Sequence, residues 1–72
     1  MKREVLLKKV GKQAAALREK AGLSQSELAR LCGKDRQSIH AFEKGEYNAS
    51  LVYLLEVATA LNVTLSELVD IK

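Results

Sequence analysis

The 72-residue chain has no proline, no tryptophan and a single cysteine, Cys32. One cysteine excludes an internal disulfide and is compatible with a reducing compartment. Cys32 and the one histidine, His40, are too few to close a tetrahedral zinc site within one chain, so no metal is expected. Long apolar runs are missing too. Val5-Leu6-Leu7 is far shorter than the core of a signal peptide, and nothing approaches the roughly 20 apolar residues of a membrane span. The Met1-Lys2-Arg3-Glu4 start bears no mark of processing, and the expectation is a cytoplasmic protein with no membrane contact. There is no Ser-His-Asp set, no phosphate-cradling glycine loop and no carboxylate pair in an apolar run. No catalytic residue, cofactor or enzymatic activity is expected.

What is present is a helix-former's composition, 47% hydrophobic and 29% charged, which suits a single domain over residues 1–72. A chain this short buries only about 60% of its unfolded surface, so its core must be efficient. The net charge of +3 is unevenly spread. Residues 1–44 hold eleven Lys and Arg against five Asp and Glu, giving +6; residues 45–72 hold one against four, giving −3. The basic part is the candidate face for a polyanion.

Single residues punctuate the chain at Gly22, Gly33, Gly45 and Asn62, dividing it into five short helices. In the first, Leu6 or Leu7, Val10, Ala14, Leu17 and Ala21 recur at helical spacing. Gly11 costs this helix about 1 kcal/mol relative to Ala, so residues 2–9 are expected to fray or to form a separate turn, and residues 1–9 are set apart as an N-terminal extension of the first helix. Ser24-Gln25-Ser26-Glu27 is a capping box opening a second helix, with Leu28, Ala29, Leu31 and Cys32 inward. Asp35 caps a third, with Ile39 and Phe42 inward and Gly45 at its end. Ser50 caps a fourth, with Leu51, Leu54, Val57, Ala58 and Leu61 inward, and Asn62 takes the left-handed stop. Thr64-Leu65-Ser66-Glu67 is a second capping box, opening a last helix with Leu65, Leu68 and Ile71 apolar. No segment alternates like a strand, so the fold class is all-α.

The second and third helices, joined by a glycine turn, form the pattern of a DNA-binding helix-turn-helix. Ala29 is small where the two must approach, and Gly33 sits where the chain turns. From about Val10 to Leu68 the sequence resembles the Cro/repressor-type helix-turn-helix family, which includes the lambda-like phage repressors. The resemblance is carried by Val10-Gly11, Leu17-Arg18, Gly22 to Ala29, Gln37-Ser38-Ile39, Glu43-Lys44-Gly45 and Ala58 to Val63. Lys34, Ala49 and Asn62 stand where the family usually has an apolar residue, a proline and a glycine. The resemblance implies a five-helix, lambda repressor-like domain binding double-stranded DNA.

In such a domain the outward side chains of the third helix meet base edges. Here those positions are Arg36, Gln37, His40 and Ala41. Arg pairs bidentately with guanine and Gln with adenine, so Arg36 and Gln37 are chemically capable readers. The resemblance implies that Gln25 anchors the second helix to a phosphate. It also implies that Arg18 and Glu43 pair across the first and third helices, presenting the arginine toward DNA. Lys34, Ser38, Lys44 and Asn48 are further candidate phosphate contacts, and Tyr47 either follows the backbone or covers the loop.

One short helix touches few base pairs, so a homodimer on a two-fold operator is expected. Val52, Leu55 and Thr59 lie beside the inward face of the fourth helix and offer an interface, which Val63, Val69 and Ile71 would extend. The expected function is transcriptional regulation, most simply repression by operator occupancy. With five helices filling the chain and no effector domain, control would come from concentration or from a partner protein, a polymerase or a toxin. The alternative is an antitoxin or protein-interaction module on the same fold.

Overall fold

The computed structural model describes residues 1–71; Lys72, the last residue of the expected domain, lies outside them. Five helices follow in order: α1 (Arg3–Lys20), α2 (Gln25–Leu31), α3 (Arg36–Glu43), α4 (Leu51–Leu61) and α5 (Leu65–Leu68). No strand occurs among the described residues. Local chemistry sets each start after α1. Ser24, Asp35, Ser50 and Thr64 have extended backbones, and their side chains accept from the amides three residues on. Glu27 and Glu67 return the bond to the Ser24 and Thr64 amides, completing both capping boxes.

The turn between α2 and α3 is closed by backbone bonds from Lys34 N–H to the Ala29 carbonyl at 2.8 Å and from Gly33 N–H to Arg30 at 3.4 Å. Gly33 has φ +69, a conformation that only glycine adopts without strain. Asn62 ends α4 at φ 58, the one non-glycine residue with positive φ among those described. Its short amide side chain tolerates that region better than most.

Ala14, Leu28, Ala29, Ile39, Phe42, Tyr53, Val57, Ala58, Leu61 and Leu68 form one buried core. α3 is held between α1 and α2, while α4 backs α2 and α5. Four expectations fail here. α1 is one continuous helix from Arg3, with no separate turn over residues 2–9. Gly11 is buried where α1 crosses the end of α3, and a Cβ there would stand 2.5 Å from the Phe42 carbonyl oxygen and closer still to that of Glu43. The glycine therefore serves a helix crossing and marks no break. Leu31 and Leu51, expected inward, are 60% and 61% exposed, and Ala21 is exposed as well. In α4 the inward stripe runs through Tyr53, Val57 and Leu61 at intervals of four, so it begins at the tyrosine and leaves Leu51 outside it.

Candidate nucleic-acid interface

Ile39 and Phe42 anchor α3 in the core and thereby fix its outward face. Arg36, Gln37 and His40 are exposed on that face, Ala41 is half-buried, and Lys44 continues it past the last turn. Residues 36, 37, 40, 41 and 44 share one side because of the 3.6-residue period.

Orientation is enforced at both ends of α3. At its C-terminal end, Arg18 Nε donates to Glu43 Oε2 at 2.7 Å and a terminal nitrogen to Oε1 at 3.0 Å. The other terminal nitrogen donates to the Leu23 carbonyl at 2.8 Å, and Gln25 Nε2 donates to Glu43 Oε1 at 2.9 Å. Glu43 thus ties α1 and the start of α2 to α3, and Arg18 adds the α1–α2 turn through Leu23. The Arg18 and Glu43 side chains are 13% and 5% exposed. Hydrogen bonding to Glu43 raises the Arg18 pKa, outweighing the opposing effect of burial, so the guanidinium stays charged. Three of its five N–H groups bond within the protein, so Arg18 is placed to steady α3.

At the N-terminal end, Asp35 caps the helix through the Ser38 amide at 2.7 Å, and the Ser38 hydroxyl bonds the Tyr53 hydroxyl at 2.8 Å. Lys34 folds back in the same direction. Its ammonium donates to Glu56 Oε1 at 2.8 Å and lies 4.2 Å from the centroid of the Tyr53 ring. That bond to Glu56 raises the Lys34 pKa, and burial pushes the Tyr53 phenol up. Tyr53 also packs at a tilt against Phe42 and Tyr47, with ring centroids 5.3 and 5.0 Å apart and interplanar angles of 60° and 54°.

The candidate phosphate contacts therefore divide. Lys44 and Asn48 are exposed, and Lys44 pairs with Glu46 at no closer than 3.9 Å. Gln25 is half-buried at the start of α2, with one amide donor given to Glu43. Lys34, Ser38 and Arg18 are occupied within the protein, so the structure does not bring their charged or hydroxyl groups to the α3 face. Tyr53 had no place among the expected functional residues. Its signal was the regular interval to Val57 and Leu61.

Val52, Leu55 and Thr59 line an open groove with Leu31, Cys32 and Glu56. Val52 is 63% and Leu55 43% exposed. Val63, Val69 and Ile71 do not line it. Val63 packs against the core, and Ile71 lies beside Lys12, Gln13 and Ala16 of α1. No helix of the described residues is long and apolar enough to cross a membrane.

Comparison with known proteins places the family and the fold. The helix-turn-helix family model HTH_3 matches residues 15–68. An uncharacterized HTH-type transcriptional regulator of Sinorhizobium fredii, y4dJ, is 39% identical over 62 residues, covering 86% of this chain and 80% of that protein. The crystal structure of the restriction-modification controller protein C.AhdI from Aeromonas hydrophila is similar with a TM-score of 0.90 and 41% identity, over 94% of this chain and 99% of that one. A putative HTH-type transcriptional regulatory protein of Thermococcus kodakarensis is 38% identical over 61 residues, but the chain spans only 19% of its length.

Proposed function

The chain belongs to the helix-turn-helix family HTH_3, and from that premise we propose that it is a DNA-binding transcriptional regulator, acting as a repressor by occupying an operator. The observation that carries this reading is the polar face of α3, presented outward while Glu43, Arg18 and Gln25 hold one end and Ser38 and Tyr53 the other. An α-helix about 10–12 Å across enters a major groove about 12 Å wide. Arg36, Gln37, His40 and Ala41 would then meet base edges, with Gln25, Lys44 and Asn48 on phosphates. Action by occupancy requires no catalysis, and its site is cytoplasmic. The likeness to a restriction-modification controller supports a regulator of that class and favours this reading over an antitoxin.

The working unit is a homodimer, joined through the groove edged by Leu31, Val52, Leu55 and Thr59. An open apolar face of this kind is uncommon on a monomer. Selection of bound sequences from a random duplex pool, followed by footprinting, tests the reading. The expected result is convergence on two-fold-related half-sites about 34–36 Å apart. A pool that does not converge contradicts it.

A further inference from the structure

We propose that Lys8 and Lys12 of α1, with Lys44 at the end of α3, form a cleft that receives the phosphate backbone of duplex DNA flanking the base pairs under α3. This rests on the DNA-binding reading above and extends it to a part of the chain outside the helix-turn-helix. The two helices meet there with no intervening side chain. A Cβ on Gly45 would stand 2.8 Å from Lys8 Cα, and Gly11 lies against the Phe42 and Glu43 carbonyls. This close crossing lays the second and third turns of α1 beside the end of the outward face. The resulting cleft, about 490 Å³, is lined by Val5, Lys8, Lys9, Lys12, Glu43 and Lys44.

Its charge selects the occupant. Lys8, Lys12 and Lys44 are exposed. Glu43 is the one acidic residue in the lining, and its carboxylate is already matched by Arg18 and Gln25. Glu46 reaches Lys44 only at 3.9 Å. A concentrated positive potential with its internal acid neutralised suits a polyanion. Because Lys44 continues the line of residues 36, 37, 40 and 41, DNA seated on α3 would run its backbone past this cleft. Ammonium groups on flexible stems grip phosphate without reading sequence.

The test measures binding of the full chain to its selected duplex between 50 and 200 mM salt, for the wild type and for Lys8→Gln/Lys12→Gln. The variant should bind at least tenfold more weakly on matched and mismatched duplexes alike, with its log–log salt slope reduced by about 2 per bound protomer, about 4 for the proposed dimer. Trimming the flanks of the duplex should weaken the wild type but leave the variant's affinity unchanged. Flank trimming of the wild type decides the matter even if the variant folds poorly. Equal affinity and slope for both proteins, with no effect of trimming, would overturn the cleft while the α3 reading stood; an acidic protein segment would then be the alternative occupant. A wild type that bound no duplex would overturn both.

Discussion

Glu43 Oε1 accepts from Arg18 at 3.0 Å and from Gln25 at 2.9 Å, so one carboxylate oxygen joins α1 and α2 to the end of α3. Removing it strands a nearly buried guanidinium. Glu43→Ala should lower unfolding stability by about 3 kcal/mol, at the low end for a broken buried pair because Arg18 keeps the Leu23 carbonyl. Replacing both partners, Arg18→Leu with Glu43→Leu, should cost less than Glu43→Ala alone. Urea denaturation of the three proteins checks the order. A loss under about 0.5 kcal/mol for Glu43→Ala would mean the pair behaves like an exposed one.

Gly11→Ala separates a helix-propensity argument from a packing argument. Alanine should favour an isolated helix by about 1 kcal/mol. Here the added methyl meets the Phe42 and Glu43 carbonyls, which cannot move without shifting α3. The expected outcome is a net destabilisation of about 2 kcal/mol or more by chemical denaturation. A more stable variant would refute the close crossing.

These two sites mark how much was legible in the sequence. Caps at Ser24, Asp35, Ser50 and Thr64, and the left-handed stop at Asn62, depend on residues within a turn of one another and could be read directly. The inward positions Ile39, Phe42 and Leu68 follow from helical period alone. Gly11 could not be read this way, because its reason lies on a helix more than thirty residues away. Lys34 looked like a solvent-facing turn cation. Only the placement of α4 reveals Glu56 and the Tyr53 ring beside it. Ile71 follows the apolar pattern, but its position beside α1 depends on how the chain leaves α5.

The α2 capping box carries a pH signature. The Ser24 amide, and then its hydroxyl, hold the Glu27 carboxyl below the usual carboxylate range. A carboxyl lowered in the folded state contributes stability above its unfolded pKa, and that contribution is lost as pH falls through the folded value. The thermal midpoint of the wild type should exceed that of Glu27→Gln at neutral pH, and the gap should close in acid. A gap independent of pH would contradict the assignment.

The proposed dimer rests on an exposed leucine, Leu55. Leu55→Lys should shift sedimentation toward a monomer and weaken operator binding while leaving the helical fold intact, because Leu55 lies outside the core; its thermal midpoint should lose the dependence on protein concentration that a dimer confers. An unchanged sedimentation coefficient would remove this face from the interface.

The reading role of α3 is tested most directly by equilibrium binding of Arg36→Ala and Gln37→Ala to the selected duplex and to single-base-pair mismatches of it. The expected result is a loss of about 1 to 3 kcal/mol for each variant on the matched duplex, with discrimination relaxed at one or two base pairs. Losses equal on matched and mismatched duplexes, or no loss for either variant, would contradict base reading by these side chains.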